Sequence, residues 1–253
     1  MTGRFAIYAA PGAGPDPDLA AARLRERAEQ WLGRSVAGAA VTPGVPDGWS
    51  RDAVDAITVS ARRYGFHATL KAPFRLAPGR TPEELDAALA LFAAGRDRVL
   101  VPRLRVARLG RFFALVPGAD AAELYALADD VVTAFDCFRA PLTEAELARR
   151  DPASRTPRQR ELLKAWGYPY VLDEFRFHLT VTDRIPAARQ PAVERTLTDW
   201  FSASLGATVP VDALALFTEE EPGASFTVRS LHPLRPAPAS GVTTDATDSE
   251  GAR

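Results

Sequence analysis

The sequence predicts an α+β fold of two pseudo-symmetric lobes, each an antiparallel sheet with helices packed on its outside, around a central cleft. Three observations lead to this prediction. A Phe-His-x-Thr motif occurs twice, at Phe66–Thr69 and at Phe177–Thr180. Strand-like and helix-like patterns are interspersed along the chain. Each motif is followed by one helix, by a strand that contains Val-Pro, and by one further strand.

Strands are predicted where β-branched, aromatic and other apolar residues form short runs between Gly and Pro turn signals. In chain order they cover residues 4–10, 66–75, 99–106, 112–116, 175–185, 208–217 and 225–232. Helices are predicted where apolar residues recur every three to four positions. In chain order they cover residues 17–32, 51–63, 81–94, 120–138 and 186–205. The highly charged segment 141–166 is predicted to be mostly helical, with a break at Asp151-Pro152. The start at Thr81 is the clearest, because Thr81 and Glu84 can form a capping box and Pro82 stands at the first helical position.

The repeat indicates one bilobal domain over residues 1–234, with repeat cores at about 66–116 and 175–232. Nearly the same interval separates the two histidines as separates the two Val-Pro dipeptides, which is typical of a duplication that builds one site from two halves. From residue 235 to 253 the chain is rich in Pro, Ala, Ser, Gly, Thr and Asp. Such a composition cannot bury a core, and a disordered tail is expected.

Composition limits the function classes. The 253 residues are 47% hydrophobic, and 31 Lys and Arg nearly balance 32 Asp and Glu, which argues against a general polyanion-binding surface. The single cysteine excludes an intrachain disulfide. The start of the chain lacks a signal-peptide layout, and no apolar run approaches the roughly 20 residues that span a bilayer. A cytoplasmic enzyme or binding protein with no membrane partner is expected.

The motifs contain the candidate catalytic residues. Because side chains alternate faces along a strand, His67, Thr69 and Lys71 are predicted to share one face, and His178 and Thr180 share the corresponding face of the second strand. Two imidazoles across a cleft suit acid–base chemistry on a phosphodiester, since one accepts a proton while the other donates one. The threonine hydroxyls would bind phosphate oxygens, and Lys71 would add positive charge.

No metal or cofactor is predicted. Two histidines without a third ligand make a poor zinc site, and the sequence has neither a His-Glu-x-x-His motif nor a pair of cysteines. The chemistry proposed for the histidines needs no metal, and the expected partner is a small phosphate ester.

These motifs resemble those of the two-histidine (2H) phosphoesterase superfamily, which includes RNA ligase/cyclic phosphodiesterase-like proteins. The flanks Tyr64–Phe74 and Asp173–Thr180, with Arg4–Tyr8 near the start, are similar to a branch often encoded beside genes for phosphonate breakdown. The resemblance covers roughly residues 4 to 232. It implies that His67 and His178 are catalytic, that the paired threonines bind phosphate, and that the substrate is a small cyclic phosphate or phosphodiester, such as a ribose cyclic phosphate, cleaved without metal.

Three further residues are candidates for the phosphate site. Tyr8 lies on a strand that is apolar at both parities, so it faces either the cleft or the core. Arg176 shares the face of His178 if the strand already begins there, and Arg229 lies on the last strand. Tyr64, at an odd spacing from the first histidine, is predicted to pack on the opposite face. His232 is predicted to be an ordinary surface residue.

Two alternative functions stay open. The cleft could bind a phosphorylated ligand or an RNA end without chemistry. Alternatively, the protein could process RNA 2′,3′-cyclic phosphates or 2′,5′ linkages, which requires a basic groove. The arginines at Arg23–Arg27 and Arg149–Arg160 could supply one, but interspersed acidic residues and the near-zero net charge favour solvated helix faces. RNA is therefore not the favoured partner. The sequence predicts no oligomeric state.

Overall fold

The computed structural model describes residues 3–236. Within this range there are nine strands: β1 Arg4–Ala9, β2 Ala68–Phe74, β3 Val99–Val101, β4 Arg105–Leu109, β5 Phe112–Val116, β6 Leu179–Thr180, β7 Val209–Val211, β8 Ala213–Glu219 and β9 Thr227–Pro233. The same range contains eight α-helices: α1 Leu19–Leu32, α2 Arg51–Asp55, α3 Val59–Tyr64, α4 Pro82–Ala94, α5 Ala122–Ala134, α6 Glu144–Arg149, α7 Pro157–Trp166 and α8 Gln190–Trp200.

The strands pair only in antiparallel fashion within the described range. One sheet has the order β2–β1–β8–β9 and the other has the order β4–β5–β6. β3 pairs with β7, which places the two Val-Pro segments against each other with Leu100 opposite Pro210. Each motif strand, β2 or β6, lies at an edge of its sheet. The predicted α+β class with two antiparallel lobes is confirmed.

The repeat is arranged differently from the predicted cores at 66–116 and 175–232. Strands β8 and β9, downstream of the second motif, join the sheet of the first motif, whereas β4 and β5, downstream of the first motif, join the sheet of the second. Two matching units result, from β1 to β4 and from β5 to β8. In each, the first strand pairs with its own motif strand and with the last strand of the other unit. Each lobe is therefore built from both units.

Both units also match in their helices. Three α-helices separate the first strand from the motif strand in each unit, and a fourth follows the motif strand. The N-terminus of α4 forms the predicted capping box, in which Thr81 and Glu84 bond each other's backbone N–H. The N-terminus of α1 is capped by the Asp18 carboxylate, and α1 ends at Gly33, whose φ of 65° is the left-handed conformation that glycine adopts at low cost.

One apolar core is common to both lobes. A single cluster of buried side chains includes Ile7 and Phe66 of the first lobe and Leu115 and Leu179 of the second. Burial of each such side chain contributes about 1.5–3 kcal/mol relative to exposure. The motif strands therefore keep their apolar faces in the core, as alternation predicted. Among the described residues no helix is both long and apolar enough to span a bilayer.

Strand β6 is much shorter than the predicted 175–185. Its ladder ends because the carbonyl of Phe113 accepts from both Val181 N–H and Thr182 N–H, which is the geometry of a bulge. The chain then turns away, and Asp183 accepts hydrogen bonds from the N–H groups of Ser60 and Ala61 in α3.

The predicted tail lies almost wholly outside the described residues, which end at 236. Arg235, its first predicted residue, is paired: its guanidinium lies 3.0 Å from the Asp97 carboxylate, and its backbone bonds to Arg96 and Arg98.

Candidate active site

The two motif strands meet at a single cleft. β2 and β6 approach within 8 Å of each other between Cα atoms, and an open cleft of about 880 Å³ lies over them. Of the motif residues, His67, Thr69 and Thr180 line this cleft, as does Phe112 of β5. Tyrosines and arginines complete much of its wall: Tyr8, Tyr64, Tyr168, Arg4, Arg75, Arg149, Arg150 and Arg184.

Both imidazoles are held in the same way. Nδ1 of His67 lies 2.8 Å from the carbonyl oxygen of Gly65, and Nδ1 of His178 lies 2.7 Å from that of Arg176. A carbonyl oxygen only accepts, so each Nδ1 bears a proton and donates it. Nε2 is then the atom of each ring that gains and loses a proton. In both copies of the motif, Nε2 is therefore the imidazole nitrogen that titrates.

His67 is half-buried against an aromatic wall. Its ring stacks on Tyr8, with centroids 3.9 Å apart and planes inclined by 23°, and the rings of Phe217 and Tyr64 are 6.0 and 6.1 Å away. Desolvation by this wall is the main cause that lowers the pKa of His67 to about 4. The hydrogen bond to Gly65 opposes this shift, and the charge of His178 adds to it. His67 is therefore neutral near pH 7.

His178 has a more open setting. It lies two residues before Thr180 on extended chain, and its ring is 5.8 Å from that of Phe112, which lines the cleft. Burial lowers the pKa of His178, while the hydrogen bond to the Arg176 carbonyl raises it. Strand pairing explains why the two histidines have different surroundings. Tyr8 lies opposite Thr69 and supplies an aromatic ring beside His67, whereas the small residue Ala114 lies opposite Thr180.

The two threonines occupy equivalent positions on the cleft wall. The Thr69 hydroxyl lies 3.3 Å from Nε2 of its own histidine, His67. The Thr180 hydroxyl makes no hydrogen bond to other groups in residues 3–236, so its donor is available to a ligand in the cleft. Of the four residues predicted to surround one cleft, His67, Thr69 and Thr180 line it. His178 does not line it and lies beside it, with its ring 5.8 Å from that of the lining residue Phe112.

Lys71 does not reach the cleft, contrary to the prediction that it shares a face with His67 and Thr69. Thr69 pairs with Tyr8, and Lys71 pairs with the adjacent Ile7, so β2 uses one extra residue there. This bulge reverses the alternation and turns Lys71 to the core side. Its ammonium donates to the Val132 carbonyl at 3.0 Å and to Asp136 at 3.1 Å.

The structure places Tyr8 and Tyr64 in the cleft wall. Tyr8, which the sequence left undecided, is 1% exposed under the ring of His67. Tyr64 was predicted to pack on the opposite face from His67, and this was wrong. It ends α3 instead of starting a strand, so strand alternation does not apply to it, and its ring stacks on Phe226 at 5.0 Å.

Neither arginine candidate places its side chain in the cleft. Arg176 is exposed, and it is the Arg176 carbonyl that acts, by fixing the ring of His178. The strand begins only at Leu179, so the face argument fails for Arg176. Arg229 lies on the outer side of β9, where it pairs with Glu83 of α4 at 2.8 Å.

Sequence reasoning missed several cleft residues. Arg4, Arg150 and Tyr168 come from three distant segments, and no periodic signal connects them. Arg150 was part of a basic run expected to be solvated, but it is half-buried, with its guanidinium 4.9 Å from the Tyr168 ring centroid. Five arginines and only two carboxylates, Glu146 and Asp183, line the cleft. The cleft is thus cationic in a chain whose formal net charge is −1.

The third histidine lies elsewhere, with its Nε2 2.8 Å from the Asp86 carboxylate and 3.0 Å from the Ser230 hydroxyl. With a side chain only 12% exposed, His232 is a partly buried member of a polar cluster and not the ordinary surface residue that was predicted. Residues 3–236 contain no group of three or more His, Cys, Asp or Glu side chains arranged to hold a metal ion.

Two curated proteins with similar sequences share the same name. "Ribose 1,5-bisphosphate phosphokinase PhnN" from Janthinobacterium sp. (strain Marseille) is 40% identical over 205 residues, which are 78% of this chain and 44% of that protein. The protein of the same name from Laribacter hongkongensis (strain HLHK9) is 34% identical over 223 residues, or 88% of this chain and 50% of that protein. The chain spans about half the length of these relatives.

Among solved structures, one described as "Crystal structure of E.coli LigT complexed with NADP+" aligns with 92% of this chain and 98% of its own, with a TM-score of 0.39 and 14% identity. A likeness this weak carries no argument about activity. A family model does match, over residues 69–227, which is more than half of the chain. The chain belongs to the family described as "Protein of unknown function (DUF1045)".

Proposed function

We propose that this protein is a two-histidine phosphoesterase that hydrolyses a cyclic phosphodiester of a small sugar phosphate without a metal. One observation carries the proposal. Two matched imidazoles, His67 and His178, each have Nδ1 hydrogen-bonded to a carbonyl oxygen and Nε2 as the titrating atom. They directly precede β2 and β6, which approach within 8 Å of each other between Cα atoms. This arrangement supports paired proton transfer.

The reaction balances with the two imidazoles alone. One neutral Nε2 removes a proton from a water molecule as its oxygen forms a bond to phosphorus. The other, protonated, donates its Nε2 proton to the departing ester oxygen as the P–O bond breaks. The product is a phosphate monoester with a free hydroxyl, and the two histidines end with exchanged protonation states.

The surroundings of the two histidines support a proposed division of roles. His67, with its pKa near 4, is neutral at working pH and serves as the base. His178, in the more open setting, serves as the acid. Thr69 and Thr180 donate hydrogen bonds to the non-bridging phosphate oxygens, where negative charge accumulates in the transition state. The Tyr8 hydroxyl is a further donor, since burial raises the pKa of Tyr8 and keeps it protonated.

The names of the relatives suggest the substrate class. These names refer to ribose 1,5-bisphosphate. This chain matches 44% of one relative and 50% of the other. A P-loop motif, G-x-x-x-x-G-K-[ST], is absent from the sequence, whose only lysines are Lys71 and Lys164. We therefore assign to this chain a diesterase activity on a ribose cyclic phosphate rather than the phosphokinase activity. A place in phosphonate metabolism is part of the proposal because the sequence flanking the two motifs resembles a branch often encoded beside genes for phosphonate breakdown.

The test is a substrate panel with purified protein in EDTA: ribose 1,2-cyclic phosphate, its 5-phosphate, and nucleoside 2′,3′-cyclic phosphates. The ribose compounds should yield monoesters. His67→Ala and His178→Ala should each lower kcat by about 10²- to 10⁴-fold while the circular dichroism spectrum is retained. His232→Ala is the matched control and should keep the normal rate.

Three results would contradict the proposal. Near-normal turnover by either cleft-histidine variant excludes the paired mechanism. Loss of turnover in EDTA that returns with a divalent metal excludes the metal-independent reaction. Ligand binding with no product from the unmodified protein identifies a binding protein instead.

A further inference from the structure

We propose that the cleft contains a second anion subsite, formed by Arg150, Tyr168 and Tyr64, which binds a phosphate monoester at the other end of the substrate from the cyclic ester. The preferred substrate would then be a pentose cyclic phosphate that also bears a 5-phosphate. This proposal rests on the proposed function for the identity of the reacting group, but the subsite itself depends on separate residues.

Arg150 has no ion-pair partner within residues 3–236. It caps the C-terminus of α6 and is half-buried, with its guanidinium over the ring of Tyr168. Within residues 3–236 this guanidinium forms no ion pair and no hydrogen bond. Burial lowers the pKa of Arg150, but a guanidinium stays charged in proteins. Desolvating a charge without a partner is unfavourable, and an anionic ligand would offset that cost.

The other partly buried arginines of the cleft differ in this respect. Arg4 is paired with the buried carboxylate of Glu219, and Arg75 is paired with Glu146 at 2.9 Å. The guanidinium groups of Arg4 and Arg75 are therefore already neutralised by ion pairs within the protein. Arg150 is left with all its N–H donors free, in the fork geometry that suits a phosphate group.

Two phenol hydroxyls complete the subsite. Tyr64 and Tyr168 line the cleft, and neither hydroxyl bonds to another group in the described part of the chain. The Arg150 guanidinium lies 4.9 Å from the centroid of the Tyr168 ring, and Tyr64 lines the same cleft. Burial raises the pKa of Tyr168, so its hydroxyl is a donor at neutral pH.

The position of Tyr64 relates the subsite to the reacting centre. Its ring centroid is 6.1 Å from that of His67, and both residues line the same cleft as Arg150. The cleft, at about 880 Å³, has room for a ligand larger than a single cyclic phosphate. The ligand class proposed for this cleft is therefore a pentose with a phosphate at each end.

The kinetic test compares ribose 1,2-cyclic phosphate 5-phosphate with ribose 1,2-cyclic phosphate. For the first compound, Arg150→Gln should lower kcat/KM by about 10- to 100-fold, the loss expected for hydrogen bonds to a charged group. For the second, the same variant should stay within about twofold of the unmodified protein. Arg195→Gln, an exposed arginine on α8, is the matched control and should change neither value. Tyr168→Phe should show a smaller loss of the same selectivity.

A binding test separates this proposal from the proposed function. Ribose 5-phosphate, titrated by calorimetry, carries the second phosphate alone. Its affinity should fall about 10-fold or more in Arg150→Gln and persist in the double variant His67→Ala/His178→Ala. The opposite pattern, or equal losses on both substrates in the kinetic test, overturns the subsite. If no compound is hydrolysed but this binding pattern holds, the subsite stands and the catalytic proposal fails.

Discussion

The imidazole of His67 stacks on the phenol ring of Tyr8, with ring centroids 3.9 Å apart. This pair has no counterpart at the second motif, where Ala114 occupies the equivalent strand position beside Thr180. A duplicated site has thus become asymmetric in its electrostatics while it stays symmetric in its backbone. The asymmetry is what allows the two histidines to differ in protonation.

Tyr8→Ala should raise the pKa of His67 from about 4 toward 6.5, because removal of the ring lets water reach the imidazole. Proton NMR titration of the imidazole resonances measures this directly, and His232 provides an internal reference. Tyr8→Phe keeps the aromatic ring and is the matched control, with little change expected. An unchanged pKa of His67 in Tyr8→Ala would show that the stack is not the source of the desolvation.

The value of kcat/KM should vary with pH in proportion to the fraction of enzyme in which one cleft histidine is protonated. Burial lowers the pKa of both His67 and His178 below 6.5, and catalysis needs one of them charged. Above the higher of the two pKa values, the charged fraction falls tenfold per pH unit, so kcat/KM should be greatest below pH 6.5 and decline toward pH 8. Steady-state rates from pH 4 to 8.5 test this, with parallel melting curves to exclude unfolding at low pH. A rate that rises through pH 7 would contradict the assignment.

Thr69→Val and Thr180→Val should each lower kcat/KM by about 10- to 100-fold, since each loses a hydrogen bond to a charged phosphate oxygen. Valine keeps the β-branched shape, so the strands should remain intact. Thr227→Val, on the exposed face of β9, is the control for a hydroxyl lost from a strand. Normal activity in both cleft variants would leave the threonines with a purely structural role.

Lys71→Met should leave kcat within about twofold and change the free energy of unfolding by less than about 2 kcal/mol, because the lysine lies on the core side and Asp136 keeps its pair with Arg139. Asp136→Ala should instead destabilise the protein by about 3 kcal/mol, since the buried ammonium of Lys71 loses its carboxylate. Denaturant unfolding and steady-state kinetics give both values. A large drop in kcat for Lys71→Met would contradict this placement and show that the lysine acts in catalysis.

Much of the candidate site could be predicted because it depends on local rules. The repeated Phe-His-x-Thr pattern marked His67 and His178, and strand alternation correctly put their phenylalanine neighbours in the core. Alternation failed at Lys71, where a bulge in β2 shifts the register, and at Arg176, where extended pairing has not yet begun. Neither the bulge in β2 nor the late start of β6 can be recognised in the sequence, because both depend on how these strands pair with their neighbours.

The sequence by itself determined the fold class, the two motif strands and the capped helices, because these follow from the period and type of residues close together in the chain. Only the tertiary structure decided which strands share a sheet. The last strands of each unit cross to the other lobe, and strand pairing over such distances is set by the common core. The same long-range packing brings Tyr8 under His67 and Arg150 to the cleft. The environment of the histidines, and hence their protonation, is therefore a property of the assembled fold.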